Sequence, residues 1–227
     1  MTCIRNCFFL IAALCPIFSS LSILAADDPD NGQSPPVDPA ILTIDRIYDG
    51  SEFGGKSFSG KWLPGTESYT TLEPNAAGEH QIIRYDAGTG SSDIMVDADA
   101  LTPPQASSPL KVENYTFSSD QSLVLIYTNS KRVWRNNTRG DYWVLNLESD
   151  SLYQLGGETP KETSLMFAKF SPDSQKVAYV QDNNIYVETL GSKNVTALTT
   201  NGSDTIINGN FDWVYEEEFS ITDGFRW

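Results

Sequence analysis

Two stretches of the chain copy one another. "FSSDQSLVLIYT" begins at Phe117 and "FSPDSQKVAYVQ" at Phe170, and both run Phe-Ser-x-Asp with an apolar residue seven places on, Val124 and Val177. A more divergent copy, "WLPGTESYTTL", begins at Trp62 with Tyr69 at the seventh place, so the heads stand 55 and 53 residues apart. Each head is followed by a second alternating segment: "IIRYDAGTG" at Ile82, "DYWVLNLES" at Asp141, "NIYVETLGS" at Asn184. A third closes each copy: "SDIMVDA", "SLYQLGG" and "VTALTTN". These runs are short, rich in β-branched and aromatic residues, and punctuated by Gly, Asn and Asp, which is how strands and turns read.

A repeat of about 40–50 residues made of short antiparallel strands describes the blade of a β-propeller. The fold class is therefore all-β: an incomplete propeller of about three four-stranded antiparallel blades. The aromatic at each head is expected to pack between blades. The S-x-D step after it is expected to be a tight turn whose Asp bonds nearby backbone. Closed propellers have about 4–8 blades. A fourth repeat would begin near Trp227, 57 residues past Phe170, so the spacing predicts the N-terminal piece of a longer chain.

The region before the repeats reads as targeting and tether. Residues 1–26 carry one positive charge, Arg5, then an apolar run ending at Ala25 and Ala26, as a signal peptide does. The poor fit of Ile23 or Leu24 before the cut keeps an uncleaved membrane anchor as the alternative. Cys3, Cys7 and Cys15 all lie there, so a processed chain has no disulfide and depends on its core. Residues 27–40, "DDPDNGQSPPVDPA", read as a flexible linker, and residues 41–227 as the propeller portion. The expected location is exported, periplasmic or extracellular.

Charge and inventory limit function. Thirty Asp and Glu against 15 Lys and Arg give −15, and no basic stripe suggests a nucleic-acid partner. The one histidine, His80, reads as a surface loop residue without the partners a site needs. There is no G-x-S-x-G elbow. Gly88 and Gly90 belong to a hairpin loop, because Asp93 stands where a dinucleotide motif needs its third glycine. Neither a cofactor nor a metal is expected, and no catalytic residue is assigned within the chain.

One stretch escapes the strand pattern: "DWVYEEE", Asp212–Glu218. It reads either as a short helix capped by Asp212 with acids in its first turn, or as a receptor for an ammonium group. An ammonium has three donors and no acceptor, which two converging carboxylates can satisfy. Trp213 and Tyr215 would anchor the segment.

"DWVYEEE" resembles the D-W-[VL]-Y-E-E-E signature of the dipeptidyl peptidase IV family of exported serine peptidases. "VWRNNTRGDYWVLNL", Val133–Leu147, is similar to the family segment in which a Trp-Arg pair precedes a Tyr-rich strand. The resemblance covers roughly residues 41–227. It implies an eight-bladed propeller followed by an α/β-hydrolase domain, absent here, with a Ser, Asp, His triad that releases N-terminal dipeptides with Pro or Ala second. It implies that Glu217 and Glu218 hold the free N-terminal amine of a peptide substrate. Arg135 would reach the same cavity and contact the first carbonyl, and Glu216 would be a further binding residue of less defined role. Asn136 and Asn137 depart from the animal pattern. This piece alone is expected to be inactive, and a homodimer of the longer protein is left open. The competing function is a non-catalytic exported propeller that binds a partner protein.

Overall fold

The computed structural model describes residues 38, 41–48, 53–55 and 57–227. The chain divides into two compact units, Met1–Lys56 and Ser57–Trp227. The signal-peptide reading of 1–26 lies outside the described residues, as does all of the linker reading except Asp38. In the first unit a single helical turn, α1 (Ile44–Tyr48), is described. The strand-bearing unit begins at Ser57.

That second unit holds twelve strands in three sets of four. The first set is β1 (Lys61–Trp62), β2 (Ser68–Pro74), β3 (His80–Asp86) and β4 (Ser92–Val96). The second is β5 (Asn114–Phe117), β6 (Leu123–Arg132), β7 (Asn137–Asn146) and β8 (Ser151–Gln154). The third is β9 (Leu165–Phe170), β10 (Lys176–Gln181), β11 (Asn184–Thr189) and β12 (Asn194–Ala197). Within each set neighbours in sequence pair antiparallel. These are the three blades, and the three segments of each repeat fall on the expected strands.

The alternation of apolar residues explains how blades stack. On β6, Val124 and Ile126 enter one core with Ile82 and Val96 of the first blade, while Leu125 enters another with Val177 and Tyr179 of the third. On β7, Leu145 joins the first core, and Tyr142 and Val144 the second. Period-two side chains thus give the middle blade two apolar faces. Truncating one such side chain to Ala costs about 2–5 kcal/mol.

The head aromatics divide. Phe117 and Phe170 pack against the cores, but Trp62 is 66% exposed at the edge of its sheet, edge-on to Tyr69. The S-x-D turns form as read. Asp120 accepts from the Ser118 hydroxyl at 2.6 Å and the Ser122 amide at 3.1 Å. Asp173 repeats the arrangement with Ser171 and Gln175. These bonds push the Asp120 carboxyl down to about 2. His80 opens a strand and is half-buried, with its Nδ1 buried and unpartnered, so the surface-loop reading is corrected.

A hairpin arm and a capped helix meet

The middle blade is built around an overlong hairpin. β6 and β7 each have ten residues, whereas β5 and β8 have four. Beyond Thr128↔Asp141 the ladder shifts twice, and Asn129 takes φ 49°. The two strands then run on as an arm whose tip, Val133–Asn136, closes by a Val133 amide to Asn136 carbonyl bond of 3.1 Å.

The root of the arm is held on several sides. Asn129 Nδ2 donates to Asp141 at 2.8 Å, Glu162 at 3.1 Å and Thr163 at 3.0 Å. Asp141, buried, also accepts from the Thr163 amide at 2.6 Å. The Ser130 amide donates to Glu113 at 2.9 Å. Arg139 and Gly140 pair with Met166 and Leu165 of β9, which joins the second and third blades into one sheet. Gly140 has no substitute there, since a Cβ would stand 2.6 Å from the Tyr127 ring.

"DWVYEEE" supplies the other half. After the third blade the chain makes an excursion closed at its neck: Asn210 bridges Asp223, and the Gly224 amide donates to the Gly209 carbonyl at 2.9 Å. Lys169 of β9 ties the neck down through Asp223 at 3.1 Å. Within it lies α2 (Trp213–Phe219), capped by Asp212, whose side chain accepts from the Val214 and Tyr215 amides at 3.0 and 3.3 Å. The capped-helix reading is therefore what forms.

The three glutamates of α2 take three different environments. Glu216 is buried, and its Oε1 accepts from the Arg135 amide at 3.0 Å, the Asn136 amide at 2.8 Å and Asn136 Nδ2 at 2.8 Å. That oxygen holds the hairpin tip. Glu217 is half-buried, and its Oε2 forms an ion pair with Arg135 Nε. That contact lacks the alignment of a hydrogen bond, and Oε2 accepts none among the described residues. Glu218 is exposed and makes neither ion pair nor hydrogen bond among the described residues.

Arg135 and Glu217 are thus brought together by two elements distant in sequence, with the exposed Glu218 next to Glu217 on α2. The anchoring expected of Trp213 and Tyr215 is corrected. Both are nearly half exposed, and Tyr215 stacks only on its local neighbours Phe211 and Phe219. Glu216 and the neck do that work instead. Asn136, which contributes two of the three donors to Glu216, had no sequence signal beyond its place beside Arg135. Among the described residues no group of three His, Cys, Asp or Glu is arranged to hold a metal.

The family model for the dipeptidyl peptidase IV (DPP IV) N-terminal region matches residues 118–227. The dipeptidyl aminopeptidase B of Saccharomyces cerevisiae is 42% identical over 119 residues, 52% of this chain and 14% of the relative. A probable dipeptidyl-aminopeptidase B of Trichophyton verrucosum is 32% identical over 180 residues, 79% of this chain and 19% of the relative. In structure the chain is similar to dipeptidyl peptidase 4 of Porphyromonas gingivalis, with TM-score 0.67 and 27% identity over 80% of this chain and 25% of that one. The chain spans a quarter or less of the length of each of these three.

Proposed function

Because residues 118–227 belong to the dipeptidyl peptidase IV N-terminal region, we propose that this propeller part selects substrates for a dipeptidyl aminopeptidase by holding the free N-terminal amine of a peptide. Glu217 and Glu218 accept the ammonium, and Arg135 orients Glu217 while presenting its guanidinium to the first carbonyl of the peptide. Glu216 is a positioning residue that fixes the arm carrying Arg135. What supports the reading is the pairing of Arg135 with Glu217 beside an uncommitted Glu218.

The chemistry follows from distance. An amine pinned at a fixed place lets only the second peptide bond reach a nucleophile, so dipeptide release becomes a ruler and positioning supplies rate. In this proposal the nucleophile is a serine of a hydrolase domain outside the propeller, and the N-terminal segment directs export. The preference for Pro or Ala as second residue belongs to that other domain.

The test compares Gly-Pro-p-nitroanilide with its N-acetyl form on the full-length enzyme. The acetylated compound has no charge to offer and is refused at every pH. Equal cleavage of the two would overturn the amine reading.

A further inference from the structure

The arm between β6 and β7 contains an arrangement that costs stability as it stands. Residues 131–139, "KRVWRNNTR", hold four cations and no acid in a chain of net charge −15. Lys131 and Arg139 are directly opposite one another on the two strands. Like charges at such positions share a face about 5 Å apart and repel. Lys161, from the loop before β9, lines the same cleft of about 360 Å³. Arg135 has Glu217, but Lys131, Arg139 and Lys161 have no ion-pair partner among the described residues. The acids around this group are Asp182, which lines the cleft unpaired, Asp141 and Glu162, engaged by Asn129, and Glu113, engaged by Ser130.

Three cations and one carboxylate in the lining of the first cleft leave room for an anion. The cleft is also too large for a small one alone. A second cleft of about 260 Å³ continues it, sharing Arg139, Met166 and Asn183, and is walled by Trp134, Ile207 and Phe211, with Asp204 as its one acid. Phe211 directly precedes the Asp212 cap of α2. A charged end and an aromatic end in one trough suit a chain with alternating side-chain chemistry.

We propose that this trough binds carboxylate-bearing segments of peptides, with Lys131, Arg139 and Lys161 taking the carboxylates and the Trp134–Phe211 end taking an apolar side chain. It offsets locally the repulsion that a chain this acidic exerts on acidic peptides. That the ligand is a peptide rests on the aminopeptidase reading; the preference for a carboxylate does not.

The experiment titrates this chain calorimetrically with two C-terminally amidated peptides, Gly-Pro-Gly-Glu-Glu and Gly-Pro-Gly-Gln-Gln, each with free and acetylated N-terminus, and with inorganic phosphate. The Glu peptide binds about tenfold tighter or more, as charge-assisted bonds imply, and the advantage shrinks at about 1 M salt. Lys131→Gln/Arg139→Gln abolishes the advantage, and Lys161→Gln, outside the strands, reduces it with the sheet untouched. Equal affinities for Glu and Gln peptides, or an advantage that survives both variants, overturn the proposal. Phosphate binding that the variants abolish, without any Glu preference, also overturns it in favour of a small-anion site. If the acetylated Glu peptide still outbinds the acetylated Gln peptide and acetylation weakens neither, the trough stands and the amine reading falls.

Discussion

Glu216 Oε1 lies 3.0 Å from the amide nitrogen of Arg135 and 2.8 Å from that of Asn136, residues some eighty places earlier in the chain. One buried carboxylate oxygen thus fixes the backbone on which the arginine is carried. Glu216→Ala leaves two amides and one side-chain donor without their acceptor, at about 1–3 kcal/mol for each donor that water fails to reach. The amides of Arg135 and Asn136 should exchange hydrogen faster in this variant while core strands such as β10 keep their protection. Unchanged exchange at both amides would show that the tip is held by something else.

Asp120 gives a pH dependence whose sign is fixed. Its carboxyl is lowered from 3.8 to about 2, chiefly by the Ser118 hydroxyl and the Ser122 amide. A depressed folded value means that the turn contributes stability above about 4 and loses it as pH falls toward 2. Asp120 is exposed, so the effect is small. Asp120→Asn should lower the urea midpoint at pH 6, and the gap to the unsubstituted chain should close at pH 2. A gap that does not change with pH would remove the ionised turn from the account.

Glu188 of β11 sits between the second and third blades with no exposed surface. Its Oε2 accepts from the amides of Gly156 and Gly157 at 2.9 and 3.2 Å and from the Tyr179 hydroxyl at 3.2 Å. Glu188→Ala strands three donors in the interior and should cost on the order of 2–5 kcal/mol. Glu188→Gln keeps an acceptor and the volume, and should cost less. Chemical unfolding of both variants checks the order, and an Ala variant as stable as the Gln variant would contradict it.

The strands were legible because their causes are local. Val124, Ile126 and Leu145 alternate with Leu125 and Val144, and period two reads directly from the letters. Asp212 as a cap was equally legible, since its bonds reach only two and three residues ahead. The arm was not. "KRVWRNNTR" is polar and lies outside the alternating segments, and it becomes a projecting ladder only through partners far away: Glu113, Glu162, Thr163 and Met166. For the same reason the role of Glu216 stayed undefined in the sequence, where nothing shows its bond across eighty residues to the Asn136 amide. Trp62 misled because its place at the head of a repeat says nothing of whether a neighbouring blade covers it.

On the proposed amine-holding role, the two remaining acids make the last prediction, for the longer protein. Glu217→Gln or Glu218→Gln keeps the shape and removes one charge, so a bound ammonium loses one charge-assisted bond of about 1.5–3 kcal/mol. That is roughly a 10- to 150-fold loss in kcat/KM. If the acids only held the ground state, KM alone would rise; as a ruler they should also lower kcat, because a loosely held amine lets the scissile bond drift from the nucleophile. The Glu217 variant should be the worse of the two, since it also releases Arg135 from its ion pair. Activity should fall on the alkaline side as the peptide amine, with an ordinary pKa of about 7.7–8.0, loses its proton. Steady-state kinetics of both variants and of the double variant decide the matter, and a double variant with full activity would leave α2 as a capped helix with no part in binding.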